Sequence, residues 1–294
     1  MGGVAGTLFV LWVRSGFSSA TVAAALTFYP PLSTYTLEKD AATAKEAYPL
    51  YNVTHFVAAH ARLVAAARVF MVPTRPGNEV PCFVFRYPEA EFTLIFSHGN
   101  ATDCGAMYSR YIALSRELAV NVVAYDYSGY GAATGRPNEA NTYTDITAVF
   151  DFCVQHLRYP AHKIILYGQS VGSGPSIYLA AKELKIRGLI VHSGLLSGMR
   201  VLTPSRALGC LDTFPNIDRI KRVQCSTLII HGEDDVEISL SHGKGLYEAL
   251  PDHCKFEPHW VPHRGHNDIG ETRECRAEYI AHLQKYLQHL HAQP

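Results

Sequence analysis

KIILYGQSVGSG, residues 163 to 174, is the stretch on which the reading of this chain turns. Ile164-Ile165-Leu166-Tyr167 is a short apolar run with the length and composition of a buried strand. It stops at Gly168-Gln169-Ser170-Val171-Gly172, and an alanine-rich helical pattern around Tyr178-Leu179-Ala180-Ala181 follows. Strand, G-x-S-x-G and helix in that order predict a nucleophile elbow, a strained turn that lifts a serine hydroxyl above the end of a sheet. Its glycines stand where a Cβ would press on neighbouring backbone, and its serine must accept a conformation that L-residues avoid. A glycine turn with a capping serine is the bland alternative, and the flanking strand and helix count against it.

A serine hydroxyl is a poor nucleophile at neutral pH, so a general base has to take its proton and a third group has to orient that base. In a sheet of this kind the partners follow in the order serine, acid, histidine. Past the strand Leu228-Ile229-Ile230 the chain reads His231-Gly232-Glu233-Asp234-Asp235-Val236, and past the last strand it reads His263-Arg264-Gly265-His266-Asn267-Asp268. Asp235 and His266 are the expected partners of Ser170, with Asp234 pointing elsewhere on its loop. His259, His263 and His266 also suggest a metal cluster, but they straddle a strand and a loop rather than one helical face. Asp126 precedes the serine and is out of order for the triad. Gly129, Gly131 and Gly135 miss the G-x-G-x-x-G spacing by one residue, so a tight turn explains them better than a dinucleotide site. The expected chemistry needs no metal and no cofactor. It does need donors for an oxyanion: the N–H of Val171 and, from the loop after Phe92–Phe96, the N–H of Asn100. His98 and His231, each before a glycine at a strand end, read as structural.

Outward from the elbow, Val69–Val72 and Cys82–Phe85 flank Pro76-Gly77-Asn78 as a hairpin. Strands are expected at 92–96, 121–125, 188–191, 227–230 and 256–261, and helices near 106–118, 139–157, 241–250 and 273–291. Residues 193–224 read as loop, too short for a large lid domain. Strands alternating with helices at this spacing predict a mostly parallel central sheet with helices on both faces. The expected division is an apolar N-terminal segment, 1–37, a polar connector, 38–54, and one α/β domain, 55–291.

Twenty-six basic and 26 acidic side chains balance, which argues against nucleic acid as a partner because phosphate neutralisation needs a basic surplus. Seven cysteines, an odd number with no C-x-x-C, support free thiols rather than a disulfide framework. Before Glu38 the only charged side chain is Arg14, and Leu8–Val13 is strongly apolar. Three readings compete there: a signal peptide ending near Ala23-Ala24-Ala25, a buried helix, and a membrane-inserted or interfacial helix with Arg14 as its main cost. Gly2 raises myristoylation, which Gly6 weakens. The sequons Asn52-Val53-Thr54 and Asn100-Ala101-Thr102 are in place, and a glycan on Asn100 would crowd the expected site, so the domain is expected to face the cytosol. Deleting residues 2–28 is then expected to release an active, soluble protein.

Several further stretches carry a resemblance: Ser97-His98-Gly99-Asn100-Ala101, Tyr125–Gly131 with Gly135-Arg136-Pro137, Ser197–Val201, Phe214-Pro215-Asn216-Ile217 and Gly265–Ile269. From about Phe92 to Ile269 the chain resembles the α/β-hydrolase domain-containing protein 17 subfamily, membrane-bound serine hydrolases that remove palmitate from protein cysteines. Phe28-Tyr29-Pro30-Pro31 with Thr34-Tyr35 is similar to the segment before that domain. The resemblance implies the α/β-hydrolase fold, a Ser170–His266–Asp235 triad, acyl-enzyme chemistry on a long-chain thioester, and S-acylated proteins and membrane as partners. Leu195, Leu196, Met199, Val201 and Leu202 are candidates to line an acyl channel, although core packing explains them equally well. The subfamily's palmitoylated N-terminal cysteine cluster is missing, since no cysteine precedes Cys82. Acyl lipids hydrolysed by a monoacylglycerol-lipase-like esterase, and a membrane-anchored binding protein without a working triad, are the competing readings.

Overall fold

The structure, a computed structural model, describes residues 18–56, 67–75, 77–202 and 211–293. The apolar run Leu8–Val13 with Arg14, Gly2, and Pro76 of the hairpin turn lie outside the described residues. In chain order the elements are α1 (Ser19–Thr27), β1 (Tyr35–Lys39), β2 (Leu50–Phe56), β3 (Ala67–Pro73), β4 (Glu79–Phe85), β5 (Thr93–Ser97), α2 (Tyr108–Leu118), β6 (Asn121–Tyr125) and α3 (Glu139–Gln155). They continue with β7 (Ile164–Gln169), α4 (Ser173–Ala180), β8 (Gly188–His192), α5 (Gly198–Leu202), α6 (Asn216–Arg219), β9 (Ser226–Gly232), α7 (Leu240–Ala249), β10 (His259–Val261) and α8 (Arg273–Ala292).

The strands form one sheet in the order β1-β2-β3-β4-β6-β5-β7-β8-β9-β10. The pairings from β1 through β4 to β6 are antiparallel, and those from β6 through to β10 are parallel. Strands β5 to β9 are buried along their whole length, because helices cover both faces of a parallel sheet and leave no solvated side. The period of two then divides one apolar run between two cores. Ile164 and Leu166 of β7 join Phe70, Val149, Ile177 and Ile229 on one face; Ile165 and Tyr167 join Phe96, Tyr111, Tyr279 and Leu290 on the other.

Two sequence expectations are corrected here. Residues 38–54 are not a connector, since they carry parts of β1 and β2, a hairpin that extends the sheet through β3. Leu37, Tyr51 and Val53 alternate with exposed Glu38, Asn52 and Thr54, so there is no apolar run to read. A polar, half-exposed edge strand is also what protects a sheet from pairing with other chains. The last strand is His259–Val261 instead of 256–261. Pro258 has no N–H to give the ladder, and before it only the bridge from Lys255 to Thr227 remains. Between β8 and β9 the described residues form the short helices α5 and α6 and a 3₁₀ turn at Ile220–Arg222. Among the described residues no helix is long and apolar enough to cross a membrane.

Three buried histidines set an acid limit on the fold. Burial lowers the pKa of His192, with Arg110 adding to the effect, and lowers that of His242, next to His231. Burial and the neighbouring His282 lower His259 to about 4. The unfolded chain takes up these protons near pH 6.5 and the native chain does not, so stability rises with pH across this window. It is lost as pH falls from about 6.5 towards 4. Thermal melts should show Tm about 5–10 °C lower at pH 4.5 than at pH 7.5, with a shallower slope for His259→Gln. A flat profile would contradict neutral burial.

Candidate active site

Ser170 follows β7 directly and has a φ of 52°, the left-handed strain expected of an elbow. One 3₁₀ turn, Ser170–Gly172, links it to α4. Gly172 packs on the end of β5, where a Cβ would collide with the carbonyl oxygens of Ser97 and His98. That approach holds the serine above the parallel strand ends, beside the loop Ser97–Asn100.

The loops after β9 and β10 bring the other two residues to it. The Ser170 hydroxyl lies 2.9 Å from His266 Nε2, and His266 Nδ1 lies 2.7 Å from Asp235 Oδ2. A carboxylate beside Nδ1 fixes the proton there, which leaves Nε2 bare to accept from the hydroxyl. The other carboxylate oxygen, Oδ1, accepts from the backbone N–H groups of Glu237 at 2.9 Å and Ile238 at 2.8 Å. Burial pushes the Asp235 pKa up, but His231, His266 and the Ile238 amide outweigh it and hold the carboxyl well below the usual range. The two loops are tied together by the Glu233 N–H on the Val261 carbonyl and the Asp234 N–H on the Arg264 carbonyl, both at 2.9 Å.

His231 is closer to this machinery than its sequence position suggests. Its Nε2 lies 2.7 Å from the Ile238 carbonyl and 3.3 Å from Asp235 Oδ2, so a second imidazole borders the carboxylate. The spacing His231-x-x-x-Asp235 was the available signal. Asp234 turns away towards the exposed His263, 3.8 Å off. The three histidines of the suggested metal cluster diverge: His259 stacks on His282, His263 is exposed, and His266 faces Ser170.

Beside Ser170 is a cavity of about 240 Å³ lined mainly by apolar side chains. Leu195, Met199 and Val201 line it with Ser170, Val171, Asn100 and His266. Leu196 does not line it; its side chain packs against Gly245 of α7. The side chain of Leu202 lies outside the described residues. Sequence reasoning missed Leu26, Thr27 and Tyr29 from the N-terminal segment, and Leu211 and Ile238, all of which also line the cavity.

The N-terminal segment is therefore part of the site, which corrects the division at residue 37. Ser18 caps α1 by accepting from the Thr21 N–H at 3.2 Å. Phe28 is buried edge-to-face on Phe214, with ring centroids 5.8 Å apart. The Asn100 carboxamide clasps the segment: Nδ2 donates to the Thr27 carbonyl at 2.7 Å, and Oδ1 accepts from the Tyr29 N–H at 2.9 Å and the Tyr130 hydroxyl at 2.6 Å. No periodicity signals such a contact, because it joins residues 73 positions apart.

The model of the α/β hydrolase fold family matches residues 93–218. The α/β hydrolase domain-containing protein aho-3 of Caenorhabditis elegans is 41% identical over 274 residues, covering 91% of this chain and 78% of that protein. Human α/β hydrolase domain-containing protein 17B is 40% identical over 270 residues, covering 90% of each. The chain belongs to the α/β-hydrolase domain-containing protein 17 family. It is a hydrolase of the α/β-hydrolase fold. Solved structures agree on the fold: the Pyrococcus furiosus esterase Pf2001 superposes with a TM-score of 0.63 at 16% identity over 77% of this chain and 91% of its own. Est1E from Butyrivibrio proteoclasticus, with ferulic acid bound, also gives 0.63 at 16% identity, over 76% and 100%. The family match extends well beyond residues 93–218, over nine-tenths of the chain.

Proposed function

We propose that the protein is a serine hydrolase that removes long acyl chains from protein cysteines through an acyl-enzyme. The observation that carries this reading is the Ser170–His266–Asp235 array, joined at 2.9 and 2.7 Å beside an apolar cavity. Ser170 Oγ attacks the thioester carbonyl as His266 Nε2 takes its proton, and Asp235 stabilises the imidazolium that forms. The N–H groups of Val171 and Asn100 receive the oxyanion. His266 returns the proton to the leaving thiolate, and water then repeats the cycle on the acyl-serine. The acyl chain lies along Leu26, Leu195, Met199, Val201 and Ile238.

The domain acts at a membrane from its cytosolic side. Tyr29, Leu32 and Val236 are exposed on the two segments that border the cavity, a suitable face for a lipid surface. The Asn100 carboxamide is engaged at both ends, which leaves no place for a glycan on Nδ2. The six described cysteines are free, as suits a reducing compartment.

Purified protein given a palmitoyl-thioester peptide and a monoacylglycerol in parallel should cleave the peptide with the higher kcat/KM. A preference for the glyceride would replace the thioesterase reading with a lipid esterase. In the same assay Met199→Trp should shorten the preferred acyl chain, with each excluded methylene forfeiting about 0.8 kcal/mol, roughly fourfold in kcat/KM. Indifference to chain length in both proteins would remove the acyl chain from this cavity.

A further inference from the structure

Behind the loop Ser97–Asn100 lies a buried polar cluster that none of these steps uses. His98 is fully buried, and its Nδ1 lies 2.7 Å from the Gly99 carbonyl oxygen. A carbonyl only accepts, so Nδ1 carries the proton. The Gly99 carbonyl and the Asn100 N–H belong to one trans peptide plane and point in opposite directions. With the carbonyl turned inward onto His98, the Asn100 N–H is turned outward, towards the cavity that Asn100, Ser170 and Val171 line together. Gly99 itself borders Ser170, whose Cβ would lie 3.7 Å from a Cβ placed there.

The imidazole has little freedom to leave this orientation. Its Nε2 lies 3.1 Å from Oδ1 of the buried Asp126, off the axis of a hydrogen bond. Asp126 is in turn fixed by the Cys104 N–H at 2.8 Å and by the hydroxyl of Tyr35 from β1. Gly131, at a φ of 51°, leaves room for that carboxylate, because a Cβ there would collide with Oδ2. The Tyr127 hydroxyl donates to the His98 carbonyl at 2.5 Å, and its ring packs on the imidazole at 4.4 Å.

We propose that His98 is a positioning residue for acyl transfer: through its Nδ1–H it holds the Gly99 carbonyl and thereby aims the Asn100 N–H at the oxyanion, while Asp126 and Tyr35 hold the ring. The inference rests on the hydrolase reading at Ser170. It assigns work to two residues, His98 and Asp126, that the order of the triad sets aside.

Two substitutions separate this role from a purely structural one. An asparagine amide overlays the Nδ1 side of an imidazole, and a glutamine amide reaches the Nε2 side. His98→Asn keeps the donor to Gly99 and should retain kcat within about threefold, whereas His98→Gln keeps only the contact to Asp126 and should lose about 30-fold in kcat with KM within twofold. A boronic acid that forms a tetrahedral adduct on Ser170 should lose affinity in step with kcat in the glutamine variant only. Equal activities, or the reverse order, would mean that His98 merely satisfies Asp126, and would overturn the proposal. Tyr35→Phe leaves His98 in place and serves if either variant fails to fold: kcat should fall about threefold to fivefold at constant KM, and an unchanged kcat overturns the proposal. A wild type that takes no fluorophosphonate label and hydrolyses neither ester nor thioester overturns the hydrolase reading and this inference together. An active wild type with indifferent variants overturns the inference alone.

Discussion

Ser170→Ala should lose turnover by on the order of 10³-fold or more and take no fluorophosphonate label, while folding as the wild type does. The hydroxyl is the only group removed, and its Oγ is the atom 2.9 Å from His266 Nε2. Without it the imidazole, the carboxylate and the oxyanion donors have no nucleophile to serve. The elbow also makes a thermal prediction. Ser170 sits at a φ of 52°, which costs an L-residue about 1–2 kcal/mol and glycine almost nothing. Ser170→Gly should therefore be as inactive as the alanine variant and melt above it, the exchange of stability for function expected at a strained site. Equal labelling of wild type and Ser170→Ala would remove this serine from the chemistry and favour a binding protein.

Deleting residues 2–28 should lower kcat/KM on a soluble ester by about 10²-fold, whereas deleting residues 2–17 should leave it nearly unchanged. This departs from the expectation that deleting residues 2–28 releases an active protein. The longer deletion removes Leu26 and Thr27 from the cavity wall. It removes Phe28 from its packing on Phe214, a burial worth about 1.5–3 kcal/mol for such a side chain. It also takes away the Thr27 carbonyl that holds Asn100 Nδ2, so the residue meant to present an oxyanion donor loses one of its fixings. A soluble ester removes any need for a membrane, so the comparison reads the cavity wall alone. Equal kcat/KM for the two truncations would show that α1 is dispensable to the site.

The local code was strong where the physics is local. Strands β5 to β9 announce themselves as apolar runs because both sheet faces are covered, and helices 108–118, 139–155, 240–249 and 273–292 fall within two residues of expectation at every end. The elbow was legible because glycine spacing and strand-to-helix order are adjacent in sequence. Asp235 and His266 were legible through the chain order that such a sheet imposes on its strand-end loops. β1 and β2 were not, since one exposed face leaves only a weak alternation of Leu37, Tyr51 and Val53 among polar residues. Nor did composition separate the lining of the cavity from the core. Leu195 and Leu196 are adjacent and alike, yet only Leu195 reaches the cavity, because neighbouring side chains on one short segment point different ways.

The sequence by itself thus determined the parallel part of the sheet, the serine turn and the order of the two residues that follow it, all of which depend on periodicity and on backbone geometry over a few residues. Only the tertiary structure decided what surrounds them. The clasp of Asn100 on the backbone of Thr27 and Tyr29 and the His98–Asp126–Tyr35 cluster both bring together groups from different elements. Hydrogen bonds and desolvation act over a few ångströms of space whatever the distance along the chain, so Tyr35 and Asp126, 91 positions apart, come to share one buried site without leaving any local pattern.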